Sequence, residues 1–145
     1  MARKERPSGS EIAEKAAKMK LDKNRSVQAQ RGGKAIKFTT ADVSHLSSEA
    51  DLEQGQAVGQ LVSEFDGDET GLKAGTYNLF VAKVGDTWEM YAESGGQIKA
   101  TAKRVKVEKV KPGEHSDMKP EFHNKGWCLL IILFIGIPIF IWHCW

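Results

Sequence analysis

The sequence predicts a mainly β protein: a small antiparallel meander, closed as a β-sandwich or open barrel, with a short N-terminal helix and one C-terminal transmembrane helix. Three observations carry that reading. Residues 57–110 alternate apolar and polar side chains between tight-turn signals. A serine-led capping pattern precedes a run of good helix formers near residue 10. The stretch Trp127 to Trp145, WCLLIILFIGIPIFIWHCW, contains no Lys, Arg, Asp or Glu.

In order along the chain, Ser8 is followed three residues later by Glu11, a capping box, and EIAEKAAKMKLDK favours helix. Ile12, Ala16 and Met19 fall on one narrow stripe, so a helix is expected over roughly 10–22. Residues 24–33, NRSVQAQRGG, read as a linker. Residues 34–40 form a candidate strand and Ser47 to Gln54 a candidate acidic helix. AVGQLVSEF (57–65) is a further strand, followed by the turn-rich DGDETGLKAG (66–75). In TYNLFVAKV (76–84), Tyr77, Leu79 and Val81 share one face and Phe80, Ala82 and Val84 the other. With apolar groups on both faces, it is expected to be a central strand. Gly85-Asp86 and Ser94-Gly95-Gly96 are turns bounding TWEMYAE (87–93), where Trp88, Met90 and Ala92 oppose Glu89, Tyr91 and Glu93. In residues 97–110 the apolar phase changes between Ala102 and Val105, which implies a bulge near Lys103-Arg104 or a strand passing from one sheet to another. A core of roughly 70 residues is near the lower limit for unaided stability.

Charge is segregated. Residues 1–37 carry 11 Lys and Arg against 4 Asp and Glu, residues 38–86 carry 2 against 9, and residues 87–126 carry 8 against 6. The chain therefore divides into a basic N-terminal arm with a short helix (1–33), a small β-rich soluble domain (34–111), a linker (112–126) and the apolar segment (127–145). The arm is expected to be solvated. No aromatic residue interrupts its basic residues before Phe38, so there is no base-stacking platform and nucleic acid is an unlikely partner. Its polar start does not read as a secretory signal, and Ala2 stands where myristoylation needs glycine.

As one helix, residues 127–145 would extend roughly 28 Å, close to the ~30 Å hydrocarbon core. Gly136 and Pro138 are tolerated inside a bilayer, with a kink expected at Pro138. Trp127, Trp142 and Trp145 lie at the two ends, as interfacial indoles do, and Lys119 and Lys125 flank the cytoplasmic end. Lys111 adds to that flank and no Lys or Arg follows the segment, so the soluble part is expected in the cytoplasm. In layout the chain resembles tail-anchored membrane proteins, which implies a membrane location and no particular activity. Cys128, at the inner interface, is a candidate for acylation. In a helix Cys128 and Cys144 would stand roughly 24 Å apart, too far to bond with each other.

GLKAGTYNLFV resembles the turn-and-strand piece of prealbumin-like β-sandwich modules, which implies a β-sandwich and, for most such modules, a site outside the cytoplasm. Chemistry is sparse. Asp66, Asp68, Thr70 and Gly71 begin a calcium-loop pattern that fails at Tyr77, where a bidentate Glu is required. His45, His115, His123 and His143 have no metal spacing and adjoin no nucleophile motif. Neither catalytic residues, a cofactor nor a metal is therefore expected. The expected function is a membrane-tethered interaction module with lipid and a protein as partners. The alternative is an accessory subunit whose tail packs against other transmembrane helices.

Overall fold

The structure, a computed structural model, describes residues 2–65, 72–109, 119–124, 128–135 and 137–144. The described residues form ten strands and two short helices. Six strands make one antiparallel sheet in sequence order: β1 (Leu21–Arg31), β2 (Lys34–Ala41), β3 (Gln56–Ser63), β4 (Gly75–Val84), β5 (Thr87–Ser94) and β6 (Gln97–Lys103). Four more form a second sheet in the order β7-β10-β9-β8: β7 (Lys106–Lys109), β10 (Ile137–Cys144), β9 (Cys128–Ile135) and β8 (Glu121–His123). Helix α1 (Gly9–Ala17) lies on the first sheet, and α2 (Glu49–Gln54) links β2 to β3.

The mainly β, antiparallel architecture and the short N-terminal helix are as the sequence indicates, but the helix expected to reach residue 22 ends at Ala17, and Leu21 and Asp22 open β1. Ser8 caps α1 by accepting the Glu11 N–H at 3.1 Å, and Ile12 and Ala16 are buried. They cluster with Ala57, Phe80, Ala82 and Tyr91 on one face of the sheet. The opposite face contributes Ile36, Phe38, Leu61, Leu79, Val81 and Met90 to a larger cluster shared with the second sheet. Strand β4 sits inside the sheet and is covered on both sides, which explains its two apolar faces.

Two-residue turns Gly32-Gly33 and Gly95-Gly96 join their hairpins with positive φ at both positions, the geometry that matches strand twist. The phase change after β6 is a change of sheet. Arg104 has φ 62°, the Val105 N–H donates to the Trp88 carbonyl at 2.9 Å, and β7 then joins the second sheet. At Gly59 a Cβ would stand 2.3 Å from the Phe38 ring, so this position lets an aromatic core residue close over the backbone.

Two expectations for the N-terminal region are corrected. Residues 24–31, read as linker, belong to β1. Their side chains are mostly polar because β1 is an edge strand, and only Val27 and Ala29 reach the core cluster. Pairing with β2 through the double-glycine turn, rather than intrinsic strand preference, makes them extended. Nor is the start of the arm solvated chain. Arg3 forms a parallel bridge with Val84, its N–H donating to the Lys83 carbonyl at 2.8 Å.

The largest correction concerns the tail. Among the described residues, no helix is long and apolar enough to cross a membrane. Cys128–Ile135 and Ile137–Cys144 are antiparallel strands, paired from Cys128↔Cys144 to Ile135↔Ile137. The apolar run has a second way to hide from water. Leu129, Ile131, Leu133, Ile135, Ile139 and Ile141 enter the same buried cluster as the six-stranded sheet. Pro138 stands at the start of β10, opposite Phe134, before the residues Ile139–Trp142 that pair with β7.

Candidate functional site

Among the described residues, the β9–β10 hairpin departs from the pattern expected of a covering hairpin. In a two-layer sandwich, alternate residues of a covering strand should point to the core and to water. Here the alternate set is also apolar: Leu130, Ile132 and Phe134 on β9, and Pro138, Phe140 and Trp142 on β10. Leu130 and Ile132 are buried, Phe140 and Trp142 half-buried, and Phe134 is 50% exposed. Leu130, Phe140 and Trp142 line a shallow groove of about 230 Å³ whose rim carries Lys106 and Glu108 from β7. The Trp142 ring meets the His123 ring edge-on at 5.1 Å, and His123 Nε2 lies 3.0 Å from Glu121.

Cys128 and Cys144 are bonded to each other across the mouth of the hairpin, with Cα atoms 4.0 Å apart. The expectation that they cannot bond rested on a helical tail. In a hairpin, residues sixteen apart in sequence become direct cross-strand neighbours. Cys128 is buried and Cys144 exposed. A disulfide-bonded sulfur has no thiol to acylate, so in this state Cys128 is closed to that modification.

Of the other residues expected at a membrane interface, Trp142 is on the outer face of the hairpin and Lys119 is exposed just before β8. Trp127, Trp145 and Lys125 lie outside the described residues, as do the calcium-like segment 66–71 and His115.

The opposite side of the molecule holds a polar network that sequence reading missed. Arg6 donates two hydrogen bonds to the buried Glu89 carboxylate, at 2.7 and 3.0 Å, and Tyr91 donates a third at 2.6 Å. The Arg6 guanidinium holds the Glu89 carboxyl below its ordinary value, while burial and then the Glu89 contact raise the Tyr91 hydroxyl. Arg3 pairs with Glu11 through two bonds of 2.6 and 2.8 Å and also donates to the Gln54 carbonyl. These contacts fasten the chain start and α1 to the sheet. Their carboxylates are occupied by structural partners, which fits clamping rather than proton transfer.

A second concavity, about 430 Å³, is lined by Lys15, Lys18 and Lys20 together with Asp42 and His45. It adjoins the C-terminal turn of α1, where basic side chains offset the negative end of the helix.

Compared with known protein families, curated proteins and solved structures, the chain has no match.

Proposed function

We propose that this chain is a membrane-tethered interaction module, with its β domain held at a membrane by the C-terminal apolar segment. One observation carries the reading: the segment is apolar on both hairpin faces and has no Lys, Arg, Asp or Glu from residue 127 to 145. A sandwich needs only one apolar face from its covering hairpin. Lipid suits what the protein itself leaves uncovered of the other, Phe134 above all, and a helical form of the segment has the length to span. In that form the lysine flank favours a cytoplasmic β domain.

The protein partner is expected along β1, an eleven-residue strand that among the described residues has a sheet neighbour on one side only. Nucleic acid is disfavoured because Arg3 and Arg6, the first two arginines of the basic arm, are engaged with Glu11 and Glu89. An accessory-subunit role is the second reading. It draws on Phe134, Phe140 and Trp142, whose bulky outer-face rings suit packing against a neighbouring protein.

Alkaline extraction of membranes from expressing cells, followed by protease digestion of sealed vesicles with the cytoplasmic face outward, tests the tether. Resistance to extraction with digestion of the β domain is the expected result. Complete release at alkaline pH would overturn it.

A further inference from the structure

We infer that the Cys128–Cys144 disulfide is a redox gate on membrane insertion: bonded, the tail stays packed as a hairpin; reduced, it is free to become a spanning helix. The inference rests on the tether reading above and adds the condition under which the tether forms.

The two forms of the tail exclude each other through these two atoms. In the hairpin the cysteines are register partners with Cα atoms 4.0 Å apart. In one continuous helix, sixteen residues of rise separate them by roughly 24 Å. A disulfide tolerates a Cα separation of at most about 7 Å. The bonded chain therefore cannot be a single helix. Nor can the bonded hairpin cross a bilayer by itself, because a two-stranded ribbon leaves backbone N–H and C=O groups facing lipid.

The bond is placed to be reached. Cys144 is exposed, whereas Cys128 is buried. A dithiol reductant supplies the electrons. Its thiolate attacks Cys144 Sγ, the S–S bond breaks, and Cys128 leaves as a thiolate that takes up a proton. The second thiol of the reductant then resolves the mixed disulfide, releasing the Cys144 thiol. Two electrons and two protons pass from the dithiol, which becomes a disulfide, to the protein.

Reduction alone does not empty the hairpin from the core. Leu129, Ile131, Leu133 and Ile141 would leave the shared cluster and uncover the sheet face containing Phe38, Leu79 and Val81. That exposure opposes release in water. Release proceeds where a bilayer accepts the departing side chains, so the gate responds to two conditions together: a reducing compartment and a membrane. The same logic reconciles a disulfide, favoured in oxidising compartments, with a lysine flank that favours cytoplasmic placement.

The test uses the full chain in three forms: oxidised, reduced with dithiothreitol, and C128S/C144S. Each is incubated with sealed vesicles of phosphatidylcholine and phosphatidylglycerol, extracted at alkaline pH and floated. At least tenfold more reduced protein than oxidised protein should float, with C128S/C144S matching the reduced form. Floated protein should show added helical circular dichroism. Equal flotation of all three forms would overturn the gate while leaving the tether intact. Flotation of none would overturn the tether and the gate with it. Flotation of the reduced forms without added helix would also overturn the gate, because the hairpin would then bind lipid unchanged. The C128S/C144S form guards against an effect of dithiothreitol on anything but this bond.

Discussion

The two sheets of the sandwich are assembled by different means. The six-stranded sheet is a meander in which each strand pairs with its neighbour in sequence, mostly through short turns. The four-stranded sheet gathers β7 beside β10 and β9 beside β8, so its order departs from the chain order, and a disulfide closes its central hairpin. One layer is specified locally by alternation and turn chemistry. The other depends on a surface that exists only once the first layer has formed. A segment of the second kind keeps its alternatives open: nineteen residues without Lys, Arg, Asp or Glu satisfy a bilayer as well as they satisfy a sheet.

The sharpest way to break this comparison is to truncate one core side chain in each layer. Leu79 on β4 and Leu133 on β9 are both essentially fully buried and belong to one cluster. Leu79→Ala and Leu133→Ala should each cost about 2–5 kcal/mol in denaturant unfolding. If Leu133→Ala leaves the unfolding midpoint where it was, the hairpin is not part of the core and the two-layer description fails. Comparable losses would establish that side chains of both layers share one core in water.

A smaller effect separates the layers. Reducing the Cys128–Cys144 bond in the absence of lipid should lower stability by about 3 kcal/mol, the chain-entropy value for a loop of this size. The loss should be local. Amide exchange should accelerate in β9 and β10 well before β3, β4 and β5, whose pairing does not depend on the bond. Uniform acceleration would mean that the layers cannot be separated, and the hairpin would then be an integral half of the domain rather than a releasable cover.

The same division decides what could be read from residues alone. Strands β2 to β6 and helix α1 were legible because alternation, capping and turn residues agree within each short window. Even the passage from β6 to β7 left a mark, the apolar phase change around Arg104. The tail left no period to read, since an unbroken apolar run suits a helix or a buried strand equally. Its length favoured the helix. Yet a signal for the hairpin was present: Cys128 and Cys144 each lie eight residues from Gly136, and Pro138 follows closely. Symmetric cysteines about a glycine and a proline are what a bonded hairpin requires. Strand β1 was illegible for another reason. Its polar residues are extended by pairing along an edge, and pairing partners are not written in a window of sequence.

The smallest predicted effect lies wholly within the meander layer and comes from a partnership that no local reading could find. Glu89 was expected on the face of β5 opposite Trp88 and Met90, but its partner Arg6 is 83 residues away. Because Arg6 holds the Glu89 carboxyl below its ordinary value near 4.5, the folded state binds that proton less readily than the unfolded chain does. Its contribution to stability is therefore present above the unfolded value and is lost as pH falls through the folded one. Glu11, lowered in the same direction by Arg3, acts over the same acidic window. Arg6→Gln should move the midpoint of acid unfolding modestly upward in pH while leaving stability near neutrality less affected than Leu79→Ala does. Strands β9 and β10 contain no carboxylate side chain, so acid acts on their own pairing only through His143 of β10, which His143→Gln removes. Exchange measured through the acid transition of the His143→Gln chain should thus show α1 and β5 loosening first. If β9 and β10 open first in acid, the hairpin is held through the polar network on the far face of the sheet, and the separation of the two layers drawn from their pairing order is wrong.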